Sequence, residues 1–407
     1  MKKRILLISY AFPPTQAPES YLSAKALSGL TSFEVDVLTI DPTDLELNTD
    51  DSLSQYTNQN FSNVYRIKRP FWMRGVIFRF LKYVIPFPDR FAALNQRMLR
   101  EALMLDVRQY SLIISWSQWH SVHLVARKIK KIYPEIPWVA HMSDPWSDNP
   151  FLPKFPALYR IQKFFEGMVV KDADHINFTT ELTLNLVMEK YPESFRDKVS
   201  FFPHAFDPAL YKNSVDANEN SKKTIRYLGN FYGQRNPISF TKAVAELFAE
   251  KPKLFLNVKI ELVGQWIGNP RWKPQNEGLP LDVIELRAPV NYRDSLRLMS
   301  EAAVLLVIDA PFDNSVFLPS KLVDYLGANR PILAFTPDGC TSNVLSSLGG
   351  YVESPLTVLS IKEGLRKVLI DLEKGTLREI DQRGLAIYSV STVSSLYEKL
   401  FISLASK

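Results

Sequence analysis

The stretch FLPSKLVDYLGANRPILA, residues 317–334, decides the reading of the fold. Leu318, Pro319 and Ser320 read as a loop, and Leu322, Tyr325 and Leu326 have helical spacing. Gly327 and Asn329 are helix stop signals, with Pro331 just beyond them. Residues 304–308 before this stretch and 332–335 at its end read as short buried strands. Strand, loop, helix, strand is a βαβ unit. A helix that begins just after a strand aims its free N–H groups and positive dipole end at the carboxyl edge of the sheet, which suits a phosphate. Lys321, in the first turn, is poorly placed for helix stability and well placed for an anion. Asp324, one turn on, lies on the same side and can accept hydrogen bonds from sugar hydroxyls. The same residues also fit an ordinary βαβ unit carrying a solvated Lys–Asp pair.

Outward from this stretch, the alternation continues in both directions. Residues 224–228, 259–263, 283–286 and 350–352 read as further strands, and 237–250, 292–299 and 361–373 as helices. The segment KNSVDANENSKK, 212–223, is polar and unpatterned, and it reads as a linker. Ahead of it, strands are expected at 4–9, 33–40, 112–115, 138–141, 176–179 and 199–202. Helices are expected at 20–30, 120–132 and 181–190. Residues 41–63 read as a surface excursion. The last stretch, 391–406, is amphipathic, with Val393, Leu396, Leu400 and Phe401 on one face.

The chain has 407 residues, enough for two domains, with 46% hydrophobic and 23% charged residues. Its one cysteine, Cys340, excludes a disulfide framework and makes a reducing, cytoplasmic compartment the expectation. MKKR followed by ILLIS imitates the start of a signal peptide, but Pro13 and Pro14 follow without a small-residue cleavage site, so a first strand is the better reading. No apolar run is long enough to span a membrane.

The net charge of +6 is unevenly spread. Residues 65–100 hold nine Lys and Arg residues against the single acid Asp89, interleaved with large aromatics. That mixture suits an anionic membrane surface. It equally describes a helix pair with a buried aromatic face and a solvated basic one. No nucleic-acid motif accompanies it.

Ligands of doubly wound sheets bind outside the carboxyl ends of the strands. Five loops qualify: 10–19, 116–120, 141–146, 229–235 and 317–321. Two of them, GNFYGQR with Arg235 and the opening stretch with Lys321, form a reasonable diphosphate clamp. GxGxxG and GxxxxGK[ST] are both absent, so dinucleotide binding and P-loop hydrolysis find no support. All five histidines fall in the first half without metal-ligand spacing, so no metal is expected. His120, His141 and Asp144 follow expected strands and can reach a cleft. His123 falls on a helix face, and His175 reads as structural.

These residues resemble a known family. YLGNFYGQRNP, IELVG, APVNYRDSLRLMSEAAVLLV and FLPSKLVDYLGANRPILA are similar to the donor domain of GT-B glycosyltransferases of the retaining family four. ILLISYAFPP, PWVAHMSDPWSDNP, INFTTELT and VSFFPHAFDPALY resemble its first domain, in the same order. The resemblance implies an α/β protein of two Rossmann-like domains facing each other across a cleft. Residues 1–211 would take the acceptor, and 224–384 the nucleotide-sugar. Residues 385–407 would pack back on the first domain.

By position, Arg235 and Lys321 look like the pair that binds the donor diphosphate. Asp324 stands where an acid binds the ribose, and Val290 lies near the loop that contacts the base. Asn230 belongs to the same donor-side set, and Ser320 and Leu322 offer backbone N–H groups to phosphate. His120, Asp144 and His141 take acceptor-side, catalytic roles. The implied activity moves a sugar from a nucleoside diphosphate to a polysaccharide or lipid-linked acceptor at the inner membrane face, with no cofactor and no nucleic acid. The family's paired acids, E-x7-E, meet Val316 and Asp324 here. That departure opens a second reading, an inactive scaffold in a sugar-assembly complex. A nucleotide-sugar epimerase is a third.

Overall fold

The computed structural model describes residues 2–45, 47–69, 88–152, 155–211 and 223–406. It divides into two compact units, Met1–Ala205 with Val390–Lys407, and Phe206–Ser389. The division after Ala205 falls ahead of the segment read as a linker, most of which, 212–222, lies outside the described residues.

The first unit is built on seven parallel strands: β1 (Lys3–Ser9), β2 (Phe33–Ile40), β3 (Asn63–Ile67), β4 (Leu112–Trp116), β5 (Trp138–Met142), β6 (His175–Phe178) and β7 (Val199–Phe201). Their order is β3-β2-β1-β4-β5-β6-β7, with Ile5 opposite Leu112 where β1 meets β4. The central strands are continuous apolar runs because both faces are covered. One face holds Leu6, Ile8 and Ile113, and the other holds Ile5, Leu7 and Ile114. The terminal helix Val390–Ala405 contributes Val393, Tyr397 and Phe401 to the second face.

The second unit repeats the design with β8 (Lys223–Leu228), β9 (Val258–Val263), β10 (Ile284–Arg287), β11 (Val304–Ile308), β13 (Ile332–Phe335) and β15 (Tyr351–Glu353). Their order is β10-β9-β8-β11-β13-β15. A small ladder of β12 (Asn314–Ser315) and β14 (Asp338–Gly339) sits apart from it. In each sheet the winding reverses once, between β1 and β4 and between β8 and β11. The two carboxyl edges at these reversals are where ligand sites are expected.

Several elements depart from the sequence reading, helices Ser54–Asn60 and Asn95–Met104 among them. Strand β3 occupies residues split there between a surface excursion and a basic stretch. Helices Pro156–Asp172 and Cys340–Leu348 had no assignment. The first of these helices buries Gln162 and Glu166 while exposing Phe155 and Phe164, so its apolar pattern points the wrong way for an amphipathic reading. Of the basic stretch 65–100, residues 70–87 lie outside the described residues. Two of its described arginines turn inward: Arg66 donates to Pro13 O and Arg69 to Asp44 O.

Candidate functional site

The edge between β8 and β11 is assembled from four short segments. Strand β8 ends at Leu228, and Gly229 leaves it at φ +136°. A Cβ at Gly229 would stand 3.8 Å from both Lys321 Nζ and Tyr227 Oη, in a backbone conformation that L side chains rarely adopt. Residues 232–235 form a tight two-residue turn: Tyr232 and Arg235 exchange backbone hydrogen bonds of 2.9 and 3.0 Å, and Gly233 takes φ +54°. This turn presents Arg235. The loop is laced to the next one by Gly229 N to Val263 O, Phe231 N to Gln265 O, and Gln265 N to the Asn230 carboxamide oxygen.

Arg235 donates to Asp309, just past β11, at 3.0 Å, and to the Tyr232 hydroxyl at 3.0 Å. Its Nε is buried without a hydrogen-bond partner. Asp309 also accepts from Thr336 Oγ1 at 2.9 Å. Lys321 Nζ donates to the Tyr227 hydroxyl at 2.9 Å and lies 4.1 Å from that ring's centre. Lys321 makes no ion pair among the described residues. Burial, and next the Arg235 guanidinium, holds its ammonium well below the ordinary lysine range, with Asp309 opposing. Arg235 thus takes the carboxylate, and Lys321 has no acid partner of its own among the described residues. An anion placed against both would restore the balance and favour the charged lysine.

Helix Ser320–Ala328 starts here on Pro319, with neither a side-chain cap nor an acid in its first turn. Below it, Tyr325 Oη accepts from Leu228 N at 2.8 Å and approaches Leu306 O at 3.3 Å, tying the helix to both strands of the reversal.

The edge between β1 and β4 has different contents. Helix Pro18–Ser28 begins at this edge with Pro at its start, and its first turn carries Glu19, which is 6% exposed. Glu19 Oε2 accepts from Trp116 Nε1 at 2.9 Å and lies 2.7 Å from Ser143 Oγ. Burial, and next the charge of Asp144, pushes the Glu19 carboxyl up to about 8. Ser143 has one hydrogen for two acceptors, Glu19 and Ser117 O at 2.8 Å, so a protonated Glu19 supplies the missing one.

Ser143 also meets His141 Nε2 at 3.1 Å, and His141 Nδ1 meets Tyr397 Oη and Asn177 Nδ2, each at 2.9 Å. Both donors converge on Nδ1, which sets a neutral ring with its hydrogen on Nε2. Burial keeps the ring neutral, well below the ordinary histidine range.

No protein-family model matches the chain, and no curated protein sequence matches it. Solved structures do. The Anabaena protein Alr3699/HepE in complex with UDP and glucose superposes with a TM-score of 0.66 over 98% of this chain and 100% of its own, at 15% identity. The α,α-trehalose 6-phosphate synthase of Burkholderia multivorans gives 0.68 over 99% of each chain at 13% identity. The sucrose-phosphate synthase of Thermosynechococcus elongatus gives 0.62 over 100% of each at 14% identity. The fold is GT-B.

Within this GT-B chain, the residues singled out from the sequence separate into groups. Arg235 and Lys321 meet at the second reversal, together with Asn230, whose side chain fixes the loop. Ser320 heads the helix, but Leu322 N is committed to Pro319 O at 3.0 Å and is no free donor. Asp324 is 5% exposed and accepts from the Tyr292 hydroxyl at 2.9 Å. Val290 lies in the loop after β10, at the sheet's far edge.

His141 lies inside β5, not after it, and is enclosed in the network just described. His120 is built into a wall: it stacks on Trp146 with ring centres 5.1 Å apart, and burial lowers it to about 3. Its Nδ1 and His123 Nε2 are buried without partners. Asp144 follows Ser143 and is half-buried.

Sequence reasoning missed Glu19, Asp309, Tyr227 and Tyr325. Glu19 carried a usable signal, an acid directly after Pro18 at the end of the first strand's loop. Asp309 had one too, since it immediately follows a strand. Among the described residues no cluster of three or more His, Cys, Asp or Glu could hold a metal ion, and no helix is long and apolar enough to cross a membrane.

Proposed function

We propose that this protein is a retaining glycosyltransferase of the family-four type that takes its sugar from a nucleoside diphosphate. One observation carries the proposal: Arg235, paired with Asp309, and Lys321, which has no ion pair among the described residues, converge at the carboxyl edge where the second sheet reverses. Two fixed cations suit the charge that develops on a departing nucleoside diphosphate, and such groups typically contribute a factor of about 100–1,000 in rate. The fold shared with a UDP-bound structure supports the same reading.

The β1–β4 edge would serve the acceptor hydroxyl. Glu19, neutral at its raised pKa and set beside Asp144, is a better candidate there than His141 or His120, which burial holds well below the ordinary histidine range. A saccharide or lipid-linked acceptor at the inner membrane face fits the basic, aromatic composition of residues 65–100.

Val316 favours a second reading, in which nucleotide binds and no sugar moves, because the first acid of the paired pattern is absent. Calorimetric titration with UDP, GDP and TDP and their sugars, followed by product analysis with and without acceptors, separates the readings. Binding of one nucleotide class with transfer supports the enzyme. Binding without turnover or hydrolysis supports the scaffold. No binding to any of them overturns both.

A further inference from the structure

Helix Pro156–Asp172 is inverted relative to an ordinary surface helix. Its inner face is polar along the middle: buried Gln162 accepts from Trp146 Nε1 and donates to Pro88 O at 2.7 Å, and buried Glu166 accepts from Ser147 N at 2.9 Å. Its outer side carries the large apolar groups. Phe155, at the N-cap, is 68% exposed, Phe164 is 63% exposed, and Ile161 is also exposed. Arg160 and Lys171 are exposed on the same side as Ile161 and Phe164, at spacings of three, four and seven residues.

A folded chain gains by burying such side chains, so a group of them held outward by a polar anchor marks a contact surface. Charge narrows the partner. Residues 151–165 contain no acid, Glu166 is turned inward, and Asp172 is paired with Arg127 at 2.6 Å. Apolar and aromatic groups on a segment that carries outward cations and no unpaired outward acid, with Asp148 held on Lys190 beside it, match the interfacial zone of an anionic bilayer.

We propose that the outward face of helix Pro156–Asp172, with Phe155 at its start, lies against an anionic lipid surface. Gln162 and Glu166 anchor the helix from below, and the cations lie beside the apolar groups as an interfacial contact requires. The proposal rests on the membrane-facing acceptor of the reading above, and it names described residues that make the contact.

The test is co-sedimentation of the full chain with phosphatidylcholine vesicles, with and without phosphatidylglycerol. Wild type is expected to bind only the anionic vesicles. Two double variants, I161S with F164S and R160E with K171E, change outward side chains alone. Each should bind about tenfold more weakly or worse, with UDP binding unchanged. Absence of wild-type binding overturns the proposal. So does full binding by both variants, which would favour the basic, aromatic stretch 65–100 as the contact instead. Loss of vesicle binding leaves the transferase reading standing if UDP still binds. Loss of nucleotide binding alone leaves the surface standing.

Discussion

The two carboxyl edges share one topology and differ in charge. At the β1–β4 edge and the adjoining end of β5 stand a neutral carboxyl, a serine, a neutral histidine and an indole, joined by hydrogen bonds. Between β8 and β11 stand an arginine with its acid Asp309 and a lysine that has no ion pair among the described residues. The reversal of winding decides where a ligand can sit, and it does so equally in both units. The side chains decide which ligand. A corner that keeps Glu19 protonated disfavours phosphate and favours a hydroxyl. A corner that crowds two cations disfavours a neutral ligand and favours a diphosphate.

The largest effect should come from crossing the comparison. Lys321→Ala removes one cation, and UDP affinity should fall about a hundredfold, the loss expected when one side of a buried charge contact is truncated. Arg235→Ala should do the same or more, with some loss of stability because Asp309 is left unpaired. Glu19→Gln should leave UDP affinity within about a factor of two while lowering transfer. Titration calorimetry and a transfer assay on the three variants check this. Equal losses of UDP affinity in all three would break the division of labour.

A smaller effect lies in pH. The Glu19 carboxyl is raised from its ordinary 4.5 to about 8. Its contribution to stability is therefore present in full below the ordinary carboxylate range and is lost as pH rises through about 8. Wild type should lose a few kcal/mol across that window, whereas Glu19→Gln should show a flatter profile and be the more stable of the two at alkaline pH. Denaturant midpoints across the window check it. Superposable profiles would place Glu19 in a solvated, ionised state and remove the contrast between the edges.

Much of this fold could be read from the sequence, because buried parallel strands leave continuous apolar runs that need no context. ILLIS and VLLVI are unmistakable in that respect. Strand β3 was missed because an edge strand is half-exposed and NVYRI alternates weakly. Helix Pro156–Asp172 was missed because its polar groups face in. At the second edge, Arg235 and Lys321 were visible as cations at strand ends, but Asp309 and Tyr227 gain meaning only once β8 and β11 lie side by side. At the first edge, attention fell on the histidines, residues whose ordinary pKa invites a catalytic role. Burial cancels that advantage at His120 and His141, and the same burial gives it to Glu19.

The most direct measurement is a crystal structure of the chain with bound UDP. The account expects both Arg235 and Lys321 within hydrogen-bonding distance of diphosphate oxygens at the β8–β11 edge. A diphosphate bound beside Glu19, or held at neither edge, would contradict it.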